Sequence, residues 1–218
     1  MMRVLHVIGA MDRGGAETMV MNLYRAIDRS EVQFDFVVHE ERDCDYDAEI
    51  ISLGGRIFHV PRFNGANYRA YRRFFSDLFE SHPEWPVVHG HIGSSAAIYL
   101  SEAKRAGRIA IAHSHAQNYT RGLDGIVFRI ISYPTRYIAD WFLGCSVEAC
   151  VDRFGARIAQ GERCCILRNG IDLSRYAFNA ETRVRMRDEF GVQGDAPVFC
   201  HVGRLTEVKN HAFLLEVF

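Results

Sequence analysis

The chain has 218 residues, and its 26 Lys and Arg nearly balance its 27 Asp and Glu, which gives a formal net charge of −1. This balance excludes a protein that binds nucleic acid through a basic surface, because no global field attracts a polyanion. The apolar run near the N-terminus is short, and no window approaches the roughly 18 apolar residues of a membrane span. We therefore expect a cytoplasmic protein without an integral membrane segment.

The first predicted strand, residues 4–8, is a nearly unbroken apolar run, and glycines and a helix with one apolar face follow it. Such a run is typical of a strand that is covered on both faces in a parallel sheet. Gly14 and Gly15 lie where the helix begins, so free backbone N–H groups and the helix dipole meet at the carboxyl end of a strand. The pattern favours a diphosphate-binding loop; the alternative is a glycine turn that only connects strand and helix.

Apolar runs and helical patterns alternate along the chain as far as residue 168. The predicted helices cover residues 48–53, 67–81, 94–106, 123–140 with an interruption at Pro134, and a last helix that ends at Phe154. The predicted strands cover residues 33–39, 56–60, 86–92, 109–113, 141–146 and 163–168. This alternation predicts an α/β fold with a doubly wound parallel sheet.

A turn signature at residues 168–172 (RNGID) marks the predicted domain boundary. We expect residues 1–168 to form a complete Rossmann-like domain, and residues 169–218 to form a hinge and the start of a second one. The second part has a charged helix at 181–190, a strand at 197–203 and a helix from about Lys209. Because a single β-α step cannot build its own core, we expect a chain that is truncated early in its second domain.

Six cysteines show no CxxC spacing and mostly lie in apolar contexts. This pattern predicts buried free thiols, and we expect neither disulfides nor a structural metal. The six are Cys44, Cys145, Cys150, Cys164, Cys165 and Cys200.

Two pairs of histidines follow or close neighbouring predicted strands. They are His89 and His91 in the first pair, and His113 and His115 in the second. Ligands of doubly wound sheets gather beyond the carboxyl ends of the strands, so these imidazoles are candidates for a binding site. The alternative for each is a hydrogen-bonded histidine at a strand end. No local spacing indicates zinc, which needs three converging ligands and an open position.

Several motifs in order resemble one family. They are residues 14–17 (GGAE), the two histidine pairs, residues 169–172 (NGID), and residues 202–205 (VGRL) with Lys209 and Asn210. Together they resemble the retaining GT-B glycosyltransferases of family 4, and residues 19–29 (MVMNLYRAIDR) resemble its bacterial exopolysaccharide and capsule branch. The family's paired-glutamate motif and nucleobase pocket are absent from this sequence, so we expect the chain by itself to be inactive.

The resemblance implies an enzyme that moves a sugar from a nucleotide-sugar donor to a polysaccharide or lipid-linked saccharide acceptor, without a cofactor or a metal. The first domain would be the acceptor side, and cell-surface polysaccharide synthesis would be the setting. Arg204 and Lys209 would hold the donor diphosphate together with Gly14 and Gly15, and would offset the charge that develops during transfer. The alternative for Arg204 and Lys209 is a pair of exposed charges at a helix start.

The resemblance also implies roles for the histidines. His115 would contact the donor sugar or support the charge at the anomeric carbon, and His113 is the second candidate for that role. His89 and His91 would line the acceptor side.

The predicted helix 67–81 is amphipathic, and arginines gather beside its apolar face. Such a helix could give peripheral contact with anionic lipid at the inner face of the cell membrane. The alternative is packing, because a helix that covers a parallel sheet also needs an apolar face. The apolar face consists of Tyr68, Tyr71, Phe74, Phe75, Leu78 and Phe79.

Two other classes of protein share part of this pattern. A NAD-dependent oxidoreductase also opens with a strand, a loop and a helix, but residues 9–16 (GAMDRGGA) do not spell the GxGxxG fingerprint. A non-catalytic module that binds anions or sugars is the second alternative. Titration with nucleoside diphosphates and with NAD separates the three.

Overall fold

The computed structural model describes residues 1–116, 122–203 and 205–217. The chain divides into two compact units, Met1–Asp172 and Leu173–Phe218. The first unit contains every strand that the structure describes, and the second contains only short helices.

The first unit is a parallel sheet of seven strands. The strands are β1 Met2–Val7, β2 Val32–Val38, β3 Ile57–His59, β4 Val87–Gly90, β5 Ile109–Ser114, β6 Trp141–Gly144 and β7 Cys164–Ile166. Their order in the sheet is β3-β2-β1-β4-β5-β6-β7, so the predicted doubly wound α/β fold is confirmed. The strand order reverses between β1 and β4, and the carboxyl ends of these two strands form the crevice where ligands bind in such sheets.

Helices cover both faces of the sheet. Those of the first unit are α1 Gly15–Ala26, α2 Asp47–Ser52, α3 Tyr68–Ser81, α4 Ala96–Arg105, α5 Gly122–Ser132, α6 Thr135–Ile138, α7 Val147–Phe154 and α8 Ala156–Ala159. The second unit has α9 Ala180–Glu189, α10 His211–Val217 and two 3-10 turns, Leu173–Tyr176 and Glu207–Lys209. The predicted interruption at Pro134 separates α5 from α6, since proline cannot continue a helix. Of the described helices, none combines the length and apolarity needed to cross a bilayer.

Side chains of β1, and of Ile8 directly after it, alternate between two hydrophobic cores. Leu5 and Val7 belong to the core under α3 and α4, whereas Val4 and Ile8 belong to the core under α1 and α2. All four are buried. Strand alternation therefore explains why the opening run is apolar at consecutive positions.

The aromatic face of α3 lies in the first of these cores. Tyr71, Phe75, Leu78 and Phe79 are buried there, and the exposed arginine Arg72 pairs with Glu102 of α4 at 2.6 Å. Packing is therefore the reason for the amphipathic pattern. Tyr68 at the start of the helix is exposed, and contact of this helix with lipid stays a prediction.

The predicted strand at 197–203 does not form, and these residues carry no helix or strand assignment. A strand needs a neighbour for its backbone hydrogen bonds, and the described part of the second unit provides none. Val198, Phe199 and Val202 are accordingly exposed. An apolar run in a sequence indicates a strand only where a partner strand is present.

The thiols are all free, and Cys44 and Cys150 are buried as predicted. The prediction of burial is wrong for Cys165 and Cys200, which are exposed. Cys165 lies on β7, the last strand at one edge of the sheet, and Cys200 lies in the segment that forms no strand. Neither position has a layer of helix on both sides.

A buried carboxylate joins the central strands to their neighbours. Asp35 of β2 accepts hydrogen bonds from Arg3 Nε at 2.7 Å, from Arg56 Nη2 at 2.7 Å and from Trp85 Nε1 at 2.7 Å. Burial alone raises the pKa of Asp35, but these donors outweigh it and hold the pKa well below the usual range. Asp35 is therefore ionised at neutral pH and ties β1 to β2 and to the segments before β3 and β4.

Asp35→Asn should lower the free energy of unfolding by about 3–5 kcal/mol, because it leaves two arginines without their buried counter-charge. Urea denaturation measures this loss. Asp77→Asn is the matched control, since Asp77 pairs with Arg73 on the surface of α3 with 63% of its side chain exposed. The control should change stability by less than about 0.5 kcal/mol. A loss below about 1 kcal/mol for Asp35→Asn would contradict the central role of Asp35.

Candidate functional site

Five histidines meet at the carboxyl ends of β1, β4 and β5. In the parallel register His6 of β1 lies opposite His89 of β4. His113 lies near the end of β5, and His91 and His115 come directly after β4 and β5. The rings of His89 and His91 stack with centroids 4.3 Å apart, and those of His113 and His115 with centroids 4.1 Å apart. The fold thus brings the two predicted histidine pairs together in one array.

Hydrogen bonds connect these rings in two groups. His6 Nδ1 lies 2.9 Å from His91 Nε2, and His91 Nδ1 lies 2.7 Å from His115 Nε2. His89 Nε2 lies 3.1 Å from His113 Nδ1. In each contact one ring donates its N–H and the other accepts, so the tautomers of bonded rings are linked.

His6 is a member of the array that the sequence interpretation missed. It lies within the apolar run of β1 and is buried against Phe34, with ring centroids 4.3 Å apart. The sequence does show a histidine inside the otherwise apolar run of β1. Its place in the array depends on β1 and β4 being neighbours in the sheet, and the order of the elements along the chain does not show which strands are neighbours.

All five imidazoles are held neutral at physiological pH. Burial, and after it the neighbouring histidines, lowers the pKa of His113 to about 2. Burial lowers the pKa of His89 to about 3, and burial together with the charge of Arg153 lowers that of His115 to about 4. The pKa values of His6 and His91 are also well below the usual range, again mainly through burial. A neutral array can donate and accept hydrogen bonds without attracting a counter-ion.

Three ring nitrogens of the array are buried without a hydrogen-bond partner among the residues that the structure describes: His6 Nε2, His113 Nε2 and His115 Nδ1. An unpaired buried polar atom typically costs about 1–3 kcal/mol. Hydroxyl groups can satisfy such atoms whichever tautomer is present, because a hydroxyl both donates and accepts. The array is therefore suited to a polyhydroxylated ligand.

The array also contains two sets of nitrogens close enough for a metal ion. These sets are His6, His89 and His91, and His91, His113 and His115, and within each the ligand atoms lie within 4.8 Å of one another. Local spacing could not show this convergence, because each set combines two histidines from the end of one strand with a third from a neighbouring strand. His91 belongs to both sets and uses both ring nitrogens in hydrogen bonds, so either set would have to break one of them to bind an ion.

The predicted glycine loop is at the start of α1. Gly14 is the N-cap residue with extended backbone, and Gly15 is the first helical residue. A side chain at position 14 would collide with the carboxylate of Glu17, whereas position 15 faces open space. Glu17 lies in the first turn, where the helix dipole favours a negative group. The diphosphate role of the two glycines stays a prediction.

The predicted basic residues lie in the second part of the chain. Arg204 is outside the described residues. Lys209 ends the Glu207–Lys209 turn, is exposed, and packs its aliphatic carbons beside Gly203. Lys209 belongs to the second unit, so its role at the edge of the sheet stays a prediction.

A further basic residue near the array is Arg153 of α7, which the sequence interpretation did not select. Its guanidinium lies over the ring of Phe128, 4.3 Å from the centroid, and against Gly93 in the loop after β4. Its charge contributes to the low pKa of His115. No sequence motif marks Arg153, because its position depends on how α7 packs on the sheet.

A separate cavity of about 740 Å³ lies where α7 ends and β6 begins. Its lining includes Arg136, Arg157 and Arg163, and none of the five histidines. Parallel α/β domains bind their ligands at the carboxyl ends of the strands, so we assign the candidate site to the histidine array.

Solved structures with a similar fold define the class of this domain. A glycosyltransferase from Rickettsia africae ESF-5 matches with a TM-score of 0.68 at 12% identity, over 99% of this chain and 56% of that one. Anabaena Alr3699/HepE in complex with UDP matches with a TM-score of 0.65 at 14% identity, over 88% of this chain and 50% of that one. The fold is that of one half of a GT-B glycosyltransferase.

Sequence comparison gives the family. The model described as Glycosyltransferase Family 4 matches residues 13–175, and the chain therefore belongs to that family. It is 38% identical over 224 residues to the Bacillus subtilis strain 168 protein named "Putative glycosyltransferase EpsF". The match covers 99% of this chain and 57% of that protein. The chain thus spans little more than half the length of this relative.

Stability should fall as the pH is lowered from 7 to 5. In the unfolded chain the histidines have pKa values near 6.5 and bind protons below that pH, whereas the folded array stays neutral. The free energy of unfolding is therefore highest above about pH 6.5 and decreases as the pH falls below it. Each histidine that stays neutral contributes a slope of up to about 1.4 kcal/mol per pH unit below pH 6.

Urea denaturation at pH 7, 6 and 5 measures this slope. His6→Leu removes one depressed pKa and should flatten the slope. His59→Leu is the matched control, because His59 is an exposed histidine on β3. Equal stability at pH 7 and pH 5 would show that the array accepts protons without unfolding and would contradict the prediction.

Proposed function

We propose that this chain is the acceptor-side part of a retaining glycosyltransferase that transfers a sugar from a nucleotide-sugar donor to a saccharide or lipid-linked saccharide acceptor. The neutral histidine array at the carboxyl edge of the sheet, in a member of Glycosyltransferase Family 4, is the observation that carries the proposal. The resemblance of residues 19–29 to the exopolysaccharide and capsule branch supports a role in cell-surface polysaccharide synthesis. A UDP-sugar is the proposed donor, in line with the HepE complexes with UDP and UDP-glucose.

The histidines are proposed to bind sugar hydroxyl groups. His115 is the residue that contacts the donor sugar or supports the charge at the anomeric carbon, and His113 is the second candidate. His89 and His91 line the acceptor side. Their low pKa values favour this role, because a neutral imidazole can orient a hydroxyl without the competing attraction of a full charge for the donor diphosphate.

The leaving diphosphate gains negative charge during transfer, and basic groups must offset it. We propose Arg204 and Lys209 for this task, with the backbone of Gly14 and Gly15 as the second contact. This assignment treats residues 1–168 as the acceptor-side domain and residues 169–218 as the hinge and the start of the donor-side domain.

Arg204→Ala and Lys209→Ala should each lower kcat by about 10²-fold or more, because each removes a group that stabilises charge in the transition state. A transfer assay with UDP-glucose measures the loss, in a form of the protein as long as its relatives. Arg183→Ala is the matched control, because Arg183 is an exposed arginine of α9 in the same unit. The control should retain full turnover, and full turnover in both test variants would refute the assignment.

The 218-residue chain alone should bind UDP-glucose more weakly than millimolar and should not transfer the sugar. A single helix N-terminus supplies about 0.3–1 kcal/mol toward an anion, whereas millimolar affinity requires about 4 kcal/mol. Calorimetry with UDP-glucose and with NAD tests this. Micromolar UDP-glucose affinity would place the donor site in the first unit, and micromolar NAD affinity would favour the oxidoreductase alternative.

A further inference from the structure

Arg153 carries a positive charge that the described residues leave largely uncompensated. None of the ion pairs between described residues involves Arg153, and its Nη1 is buried without a hydrogen-bond partner. The neighbouring carboxylate, Asp152, lies 3.4 Å from Arg129. The ring of Phe128, 4.3 Å from the guanidinium, and the electrostatic influence of Tyr99 and Asp152 offset the charge of Arg153 only in part, because burial still lowers its pKa. A cation–π contact stabilises a guanidinium by less than the burial of an ion costs.

The guanidinium of Arg153 reaches the same edge of the sheet as the histidine array. It lies against Gly93, three residues after the end of β4, where any side chain would collide with it. It is also close enough to His115 to lower the pKa of that ring. Glycine at position 93 therefore allows the guanidinium to lie against the backbone beside the array.

The groups around Arg153, and the shape of its guanidinium, indicate which kind of ligand could pair with it. The nearby imidazoles are neutral and so do not compensate its charge. Arg136 donates from Nη2 to the backbone carbonyl of Arg153 at 3.1 Å, and it too is a basic residue that brings no counter-charge. A guanidinium presents N–H donors in a planar fork that matches the two oxygens of a phosphate or a carboxylate.

We propose that Arg153 binds an oxyanion of the acceptor, either a phosphate of a lipid-linked saccharide or the carboxylate of an acidic sugar. The proposal rests on the proposed function, because it places the acceptor beside His91 and His115 and leaves the donor diphosphate to Arg204 and Lys209. The anion would pair with a charge that is already desolvated, and neutral hydroxyl groups beside it would bind the histidines. Acceptors without a negative group would leave Arg153 unpaired.

A purely structural role is the competing explanation for Arg153. The cation–π contact links α7 to α5, and if that were its purpose, removing the guanidinium would loosen the domain. If the guanidinium instead serves to bind an anion, its removal relieves a desolvation cost in the protein without ligand. Arg153→Met, which keeps an unbranched side chain, should then unfold at the same temperature as the wild type or at a higher one.

Calorimetric titration of the 218-residue chain with inorganic pyrophosphate, glucuronate and glucose tests the proposal. Arg153→Met should weaken binding of the preferred anion at least tenfold, and Arg153→Lys should retain only part of the affinity. Arg157→Met is the matched control, because Arg157 is an exposed arginine of α8, and it should bind like the wild type. Preference for pyrophosphate indicates a lipid-linked diphosphate, and preference for glucuronate indicates an acidic sugar.

Two results would overturn the proposal. One is anion affinity that is absent in the wild type or unchanged in Arg153→Met. The other is a lower melting temperature of Arg153→Met with unchanged affinity, which would assign Arg153 to structure alone. Both readouts are independent of sugar transfer, so failure of the Arg204 and Lys209 variants to lose turnover would count against the proposed function and not against this one.

Discussion

The parallel register of β1, β4 and β5 is the constraint on which the candidate site depends. Backbone hydrogen bonds fix this register, and it places His6 opposite His89 and ends all three strands at one edge. A shift of one residue in any of these strands would turn its histidines toward the opposite face of the sheet. Asp35 helps to hold the register, because its hydrogen bonds tie β1 to β2 and to the segment that leads into β4. The fold and the site therefore share one set of interactions.

Sequence patterns could predict those parts of the site that lie at strand ends. The two histidine pairs stand at alternate positions where apolar runs stop, and parallel strands must bring such positions to a common edge. His6 and Arg153 could not be found in this way, since their roles depend on which strands are neighbours and on how α7 packs. The aromatic pattern of α3 and the apolar run at 197–203 show a related limit. An apolar pattern indicates that a surface is covered or that a strand could form. It does not indicate which element lies beside that surface or strand.

The site combines neutral imidazole rings with a charged guanidinium, that of Arg153. The histidines are kept neutral by burial, whereas Arg153 keeps its charge at a cost that its contact with Phe128 only partly offsets. Neutral rings suit sugar hydroxyl groups, and a buried guanidinium suits an oxyanion. The first unit thus has groups for an acidic glycan before any contribution from the second.

The hydrogen-bonded series His6, His91 and His115 links the surface of the domain to its core. Three neutral rings carry three protons and share two hydrogen bonds, so the direction of donation must be the same along the whole series. If a ligand requires a donor at His115 Nδ1, then His6 Nε2 becomes an acceptor, and a ligand that requires an acceptor reverses both ends. Reversal requires one terminal ring nitrogen to lose a proton and the other to gain one, so the polarity of a bound hydroxyl group is coupled to the tautomer of His6, whose ring contacts Phe34 in the core. A nitrogen signal from His6 would then report, from inside the protein, which way the ligand's hydroxyl points.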